Sequence, residues 1–535
     1  MLTVTITNTG QELEANQGDN LLHLLRCADV WIDNACNGTG TCGKCKIKIL
    51  EGDVSKVEET EGRLLKEQEI ESGIRLACMV EIQGNLQVEL LEKEKVHRVL
   101  TRGKVPEFER DTWKTGYGVA VDIGTTTVVA SLVDLKTGME TASVSGINEQ
   151  KKYGLDVLTR ITYEYENPET GCKQLQKAIV DMLNVMLDNL CYKNKINKQE
   201  IKEIDVAANC TMMHMLLGVD ARTIGRAPYQ PVFLDAQKLA ATEIGLKTAE
   251  DTILYCLPQV SAYIGADIVA GAYVCSLQKE KENTLFIDIG TNGEIVLTGK
   301  DNILCCSCAA GPALEGMNIS CGMRAAEGAV EDVQITEKGI RMQTIGNREP
   351  IGICGSGILA VLKELLRTGF VKKTGVFIKK ESLPETDYRK AMIRMNGKKR
   401  EFILQESPEL IVTQGDIRQV QLAKGAIRSG FTALLNAAGI KEEELQKVII
   451  AGQFGAHLPA ELLTGTGILP ENVEGRLNYV GNSSKTGAYM ALLSETVKKE
   501  IEQLARKMKY IELSETENYE RIFTESMIFP SSKTK

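Results

Sequence analysis

The chain has 535 residues, of which 43% are hydrophobic and 25% charged, and a formal net charge of -9. That length predicts two to four domains of roughly 100–200 residues, and 12 prolines beside 48 glycines describe a folded chain rather than a disordered one. The acidic balance argues against a nucleic-acid partner, because phosphate-backbone affinity rests on clustered Lys and Arg. No run of about 18 apolar residues signals a membrane span, so no membrane partner is expected. The start MLTVTITNTG lacks the basic and apolar regions of a signal peptide. A cytoplasmic location is therefore expected, where the 15 cysteines read as metal ligands or buried thiols rather than disulfides.

Residues 1–15 alternate apolar and polar through Leu2, Val4 and Ile6 and turn at Asn8-Thr9-Gly10, which predicts a β-hairpin. Asp19 is placed to cap a helix from Asn20 to Ala28 whose apolar face holds Leu21, Leu24 and Leu25. A Gly- and Cys-rich stretch at 36–45 follows, then an alternating strand Cys45–Ile49 and a last strand near 86–91. Together they predict a compact β-grasp-like domain over 1–92. Residues 93–115 are charged, contain Pro106 and show no period, so they read as a linker. From Gly118 the segment GVAVDIGTTTVVASLVD reads as strand, polar turn and strand, and LFIDIGTNGEIVL repeats the layout at 285–297. VIIAGQFG near 448–455 adds a further buried strand. Helical patterns near 173–190, 357–367 and 495–508 complete an α/β fold of two similar lobes. The expected bounds are 116–535 for this domain, with a first lobe at about 116–284, a second at about 285–495 and a C-terminal extension at 496–535.

The cysteine spacing is Cys36-x5-Cys42-x2-Cys45 with Cys78 further along. An iron–sulfur cluster needs thiolates converging on one small inorganic core, and Gly38, Gly40 and Gly43 let the backbone wrap it. The pattern is close to the plant-type C-x4-C-x2-C…C [2Fe-2S] spacing with one added residue, and the longer first gap resembles the adrenodoxin-like ferredoxins. Three other readings fit less well. Structural zinc prefers paired C-x2-C knuckles. A thioredoxin-like Cys42-x2-Cys45 pair would open a helix. The P-loop imitation Gly38-x4-Gly43-Lys44 lacks both the following Ser or Thr and a helix.

Asp122-Ile123-Gly124-Thr125-Thr126-Thr127 has the chemistry of a phosphate turn: Gly124 permits close approach, the threonines donate, and Asp122 can hold magnesium or its waters. Asp288-Ile289-Gly290-Thr291-Asn292-Gly293-Glu294 repeats it, and Ala451-Gly452-Gln453-Phe454-Gly455 follows in order. This succession resembles the acetate and sugar kinase, Hsp70 and actin superfamily, which implies an ATP site clamped between two lobes and two helices crossing between them. The candidates for those helices are 205–218 and 482–495. Gly355 and Ser356, in Gly352-Ile353-Cys354-Gly355-Ser356-Gly357, either present N–H groups to the nucleotide or only pack a helix on a sheet.

The combination of this ferredoxin spacing with VDIGTTT, NEQKKYGLDVLTRI, NCTMMHMLLG, FIDIGTNGE, AAGPALEG and GICGSGIL resembles the ATP-dependent reductive activators of corrinoid proteins. The resemblance implies a [2Fe-2S] cluster on Cys36, Cys42, Cys45 and Cys78, magnesium and ATP at Asp122 and Asp288, and transfer of one electron to cob(II)alamin to regenerate cob(I)alamin. It implies two partners, a corrinoid-binding methyl carrier and an external low-potential electron donor, and leaves room for a homodimer. Relatives that insert a middle domain after the linker set an expectation that this chain lacks one. The run Cys305-Cys306-Ser307-Cys308 reads as a loop that is either tightly packed, metal-binding or, by the resemblance, turned to the corrinoid partner through Ser307. The rival functions are a small-molecule kinase regulated by its ferredoxin domain and an ATP-driven activator of a different low-potential enzyme.

Overall fold

The computed structural model describes residues 2–28, 30, 32, 40, 43, 45–91, 105–299, 302–397, 399–452 and 458–530. Of the expected site residues, Cys36, Cys42, Gln453, Phe454 and Gly455 lie outside that set. The chain divides into two compact units, one of residues 1–96 with 150–163 and the other of 97–149 with 164–535.

In the first unit the hairpin β1 (Leu2–Ile6) and β2 (Gln11–Ala15) precedes helix Leu21–Cys27, and β3 (Lys46–Val54), β4 (Ile74–Leu76) and β5 (Ile82–Leu90) follow. The sheet order is β2-β1-β5-β3-β4, with β1 and β5 parallel in the middle. Alternation turns Val4, Ile6, Ile47 and Val88 onto one face, where they pack with Leu21 and Leu25 of the helix. The β-grasp expectation holds.

The second unit carries two related sheets. The first contains β6 (Tyr117–Ile123), β7 (Thr127–Asp134), β8 (Glu140–Ile147), β9 (Ile201–Ala208), β10 (Gln237–Ala240) and β11 (Ile253–Cys256), in the order β10-β11-β9-β6-β7-β8. The next run is β12 (Thr284–Ile289), β13 (Gly293–Gly299) and β14 (Asn302–Cys308). Two small three-stranded sheets follow, β15 (Ala329–Thr336), β16 (Gly339–Thr344) and β17 (Gly352–Ile353), then β18 (Ile393–Asn396), β19 (Lys399–Gln405) and β20 (Leu410–Thr413). The second large sheet is completed by β21 (Lys447–Ala451), β22 (Leu477–Gly481) and β23 (Met508–Tyr510), in the order β22-β21-β12-β13-β14-β23. In each large sheet an antiparallel meander of three strands is extended by two parallel strands beside its first member. The near-continuous apolar runs of β6 and β12 reflect burial on both faces.

Helices Ala266–Val274 and Ser483–Leu493 pack on each other between these sheets. Small residues set the approach: a Cβ on Gly487 would lie 2.6 Å from Cβ of Ala270, and one on Gly271 would lie 2.9 Å from the Phe286 ring. The expected crossing helix at 205–218 is corrected. Residues 201–208 form β9, because a short apolar run suits a doubly buried strand as well as a helix, and only Cys210–Leu217 is helical. The segment expected as a C-terminal extension contributes β23 to the sheet edge and buries Phe529.

Where β9 meets helix Glu495–Lys507, buried charges collect. Lys498 contacts Glu203 and Asp205, and Lys114 bonds Glu203 at 2.9 Å and Glu495 at 3.0 Å. Asp205 is wholly buried and its nearest cation, Lys498, is 3.4 Å away. Burial pushes its carboxyl up to about 8 against the attraction of Lys498, with Glu203 adding to the rise. A folded-state value above the unfolded one means that Asp205 favours folding below about pH 4 and that this contribution is lost as pH rises toward about 8. Asp205→Asn should therefore remain folded and lose part of that slope. Between pH 5 and pH 8 its thermal midpoint should fall less than the parent's by at least ~2 °C, and parallel pH profiles would refute the assignment.

Candidate functional site

The ends of β6 and β12 build the same device twice. Asp122 and Asp288 are each the next-to-last residue of their strand, and each is followed by a tight turn into the next one. In the first turn the Gly124 N–H donates to the Thr127 carbonyl at 2.9 Å, and in the second the Gly290 N–H donates to the Asn292 carbonyl at 2.9 Å. A Cβ at Gly124 would stand 2.8 Å from the Thr127 oxygen, so this position requires glycine. Thr125, Thr126, Thr127 and Thr291 are half-buried and Asn292 is exposed at the turn tip, while Gly293 is buried.

Polar residues from distant segments hold the turns. Buried Asn148 donates from Nδ2 to the Gly124 carbonyl at 2.9 Å and from its backbone to the Thr126 carbonyl at 2.8 Å. Asn209, the N-cap of helix Cys210–Leu217, donates to Thr125 Oγ1 at 3.0 Å. On the second turn Thr291 Oγ1 donates to Glu315 at 2.7 Å, and the Gly311 N–H donates to the Thr291 carbonyl at 2.8 Å. The AAGPALEG motif thus braces this turn. Asp122 accepts from Asn482 Nδ2 at 2.9 Å and from Ser484 Oγ at 2.7 Å.

Four half-buried carboxyls face one another electrostatically. Burial raises Asp288 to about 7, with the charge of Asp122 adding to the rise. Burial, Asp288 and Asp122 raise Asp267 to about 7. Glu294 is pushed well up by burial, Asp267 and Asp288. Burial also raises Asp122, against its bonds to Ser484 and Asn482 and the charge of Lys485. Groups that resist joint ionisation are stabilised by a cation. Among the described residues no group of three or more His, Cys, Asp or Glu is placed to hold a metal unaided. The donor set therefore fits magnesium carried by one or two carboxylates together with phosphates and water. Gly452 (φ +86°) follows β21 so tightly that a Cβ there would sit 2.2 Å from Asp288 Oδ1.

Cys354 precedes helix Gly355–Arg367, and Ser356 Oγ lies 3.3 Å from Cys354 Sγ. A Cβ on Gly357 would stand 2.0 Å from the Val330 carbonyl, so close helix–sheet packing explains that glycine. The cysteine-rich segment at 305–308 is corrected from loop to strand β14. Its register pairs Ser307 with Glu294, which puts the half-buried serine on the same sheet face as that carboxyl rather than on a protruding loop. Cys305, Cys306 and Cys308 are buried, and Cys308 Sγ donates to the Gly293 carbonyl at 3.2 Å. A cavity of about 510 Å³ between helix Gln414–Ala438 and helix Tyr519–Ser526 is lined by Arg428, Asn436 and Arg521 and by none of the turn residues.

In the first unit Cys45 Sγ and Cys78 Sγ approach to 3.3 Å. The Ala77 N–H donates to the Cys45 carbonyl at 2.8 Å and Asn20 Nδ2 to the Cys78 carbonyl at 2.9 Å, which fixes both backbones. Gly40 and Gly43 have φ of +71° and +64°, a conformation that favours glycine. Two thiols converging beside a glycine-bearing loop fit ligation of a shared iron–sulfur core.

Comparison with known proteins agrees with this layout. Residues 4–83 match the family of 2Fe-2S iron-sulfur cluster binding domains, 117–280 match the RACo middle region, and 282–535 match the C-terminal domain of RACo, the ASKHA domain. The expectation of a missing middle domain is thereby corrected, since the stretch read as the first lobe matches that region. The chain is 34% identical over 411 residues to the corrinoid activation enzyme RamQ of Eubacterium limosum, covering 75% of this chain and 69% of that protein. It is 25% identical over 423 residues to the [Co(II) methylated amine-specific corrinoid protein] reductase of Methanosarcina barkeri, covering 73% of each. A solved reductive activator for corrinoid, iron-sulfur protein is 31% identical, with a TM-score of 0.67 and coverage of 100% of this chain and 99% of that one. With the duplicated glycine turns on one unit and the paired thiols on the other, these matches show that this chain belongs to the family of reductive activators of corrinoid proteins.

Proposed function

We propose that this chain uses ATP to drive one electron from a [2Fe-2S] cluster to the cob(II)alamin of a corrinoid-binding methyl carrier, restoring cob(I)alamin. The observation that carries the reading is the presence, in one chain of this family, of the Cys45–Cys78 thiol pair and of two facing phosphate turns with raised carboxyls. The ferredoxin domain is 1–92, the linker 93–115 and the ATPase domain 116–535. Cys36, Cys42, Cys45 and Cys78 hold the cluster, which supplies a single low-potential electron. An external reductant reloads it, and the protein acts in the cytoplasm; no helix among the described residues is long and apolar enough to cross a membrane.

ATP hydrolysis is assigned to the cleft. Asp122 and Asp288 serve magnesium, and Asp288, held at the end of β12 against Gly452, orients the attacking water, since phosphoryl transfer depends on positioning and charge stabilisation. Thr125, Thr126 and Thr127 with the Gly124 turn, and Thr291, Asn292 and Gly293 with the Gly290 turn, receive the phosphates, with Glu294 beside them. Gly355 and Ser356 approach from a helix N-terminus, and Gly452, Gln453, Phe454 and Gly455 border the adenosine. Asp267 joins this machinery as a fourth carboxyl. Ser307, half-buried on β14 opposite Glu294, is assigned to the surface that receives the corrinoid protein.

The energetic need for ATP follows from potentials. Plant-type [2Fe-2S] centres lie near about -400 mV, and each ~59 mV of uphill one-electron transfer costs about 1.4 kcal/mol. An acceptor a few hundred millivolts lower stays oxidised unless nucleotide binding or hydrolysis changes affinities between states.

Anaerobic reduction of a purified corrinoid protein, followed by cobalt absorption, tests the whole. Cob(I) should accumulate with ATP and not without it; equal rates would reject the activator role. Asp288→Ala should lower ATP hydrolysis at least ~100-fold, the scale of losing a group that stabilises charge in the reaction, and leave the visible spectrum intact. Gly452→Ala drives a methyl group into Asp288 and should cost hydrolysis at least ~10-fold through misplacement; a parent-like rate would mean that Asp288 does not act from its observed position. Cys78→Ala should lose the visible absorption of the cluster and still hydrolyse ATP, and a normal spectrum in that variant would remove Cys78 from the ligands.

A further inference from the structure

Helix Ser483–Leu493 has the nucleotide cleft at one end and the root of the linker at the other. At its start, Asn482 and Ser484 occupy both oxygens of Asp122, at 2.9 and 2.7 Å. At its end, the Leu492 carbonyl accepts from Lys114 Nζ at 2.9 Å and the Leu493 carbonyl from the Asp111 N–H at 2.9 Å. Carbonyls of a last helical turn have no donor within the helix, and here residues from the end of the linker supply it. The 11 residues of the helix span about 16 Å at 1.5 Å per residue.

The helix is seated so that neither end moves alone. Lys485, 2% exposed, donates to Ser131 at 3.1 Å and to Glu140 at 2.7 Å on the first sheet. Gly487 lies against Ala270, and a Cβ on Gly118 would meet the Leu492 side chain at 2.8 Å. Lys114 also pairs with Glu203 and Glu495, and Asp111 Oδ2 accepts from the Glu495 N–H at 2.8 Å. Packed contacts of this density shift between discrete arrangements rather than deform continuously.

We infer that helix Ser483–Leu493 couples the nucleotide state to the linker, with Asp111 and Lys114 as positioning residues for electron delivery. When magnesium and phosphate engage Asp122, its oxygens hold Asn482 and Ser484 less strongly. The helix start is released, its end shifts, and the anchor of residues 111–114 changes with it. Because those residues end the linker that carries the ferredoxin domain, ATP turnover resets the tether of the electron donor. The inference rests on the activator function proposed above and adds residues that touch neither nucleotide nor cluster.

Two measurements on the full chain test it. The first is amide hydrogen exchange of residues 105–115 with and without a non-hydrolysable magnesium–ATP analogue. The parent should show a nucleotide-dependent change there that both Lys114→Met and Asp111→Ala lose, and an unresponsive parent linker overturns the inference. The second is the yield of cob(I) per ATP hydrolysed, anaerobically, with titanium(III) citrate as donor. The variants should hydrolyse ATP within about twofold of the parent while the yield per ATP falls about tenfold, inside the usual range for coupling between sites. Asp111→Ala keeps the test open where Lys114→Met leaves Glu203 and Glu495 uncompensated and unfolds the chain. The inference stands if either variant uncouples and fails if neither does. Hydrolysis and reduction falling together in both would mark a purely structural anchor and also overturn it. A parent without ATP-dependent cobalt reduction refutes the activator function itself, and the exchange experiment still judges the helix.

Discussion

Four carboxyls share one cleft, and the rest of the larger unit is arranged around that crowding. Asp122, Asp267, Asp288 and Glu294 are each raised first by burial and, except at Asp122, next by a neighbouring carboxyl. A site of this kind is electrostatically costly on its own and is relieved by a cation bound with phosphate. A cation bound there with phosphate would change the charge balance at the ends of both central strands at once. Such differential interaction is what a ligand needs in order to shift a conformational equilibrium.

The two large sheets repeat one topology, yet their turns are braced differently. The first is held by amides, Asn148 and Asn209, and its carboxylate Asp122 is occupied by donors from Asn482 and Ser484. The second is braced through Glu315, while Asp288 is pressed by the backbone at Gly452. Donors lower the proton affinity of a carboxylate, and a crowded environment without them raises it. Duplicated architecture thus places two raised carboxyls at the same strand position, one bonded by Asn482 and Ser484 and the other crowded by Gly452.

The smaller unit meets a different constraint. Its hydrophobic core is formed by alternate strand residues and one short helix, and the thiols of Cys45 and Cys78 converge at its edge through backbone bonds that reach Ala77 and Asn20. Cluster chemistry needs this preorganisation of sulfur positions, whereas ATP chemistry needs two lobes that can close. The two sets of residues lie in separate units, and within the larger one the buried charges around Lys114 and Lys498 tie Lys114 to β9 and to helix Glu495–Lys507.

Local chemistry was legible in the amino-acid sequence. The β-grasp hairpin, the apolar strands ending at Asp122 and Asp288 and the glycine turns each depend on a few consecutive residues, so pattern and conformation coincide. Segments with ambiguous periods were not. Residues 205–208 suit a helix as well as a doubly buried strand, and Cys305–Cys308 looked like a loop because clustered thiols masked the pairing of Ser307 with Glu294. Asp267 carried no local mark, and although Asn209 and Glu315 sit in recognised motifs and Asn482 and Ser484 open an expected crossing helix, nothing local pointed to the partners they hold. Asn482 meets Asp122 across 360 positions and Asn209 meets Thr125 across 84. Such contacts exist only once strand order, register and helix packing have brought distant side chains together. Residue type and spacing mark the groups suited to phosphate and sulfur chemistry, whereas the folded chain selects the neighbours that tune and connect them, because charge interactions and hydrogen bonds act over ångströms in space and not along the chain.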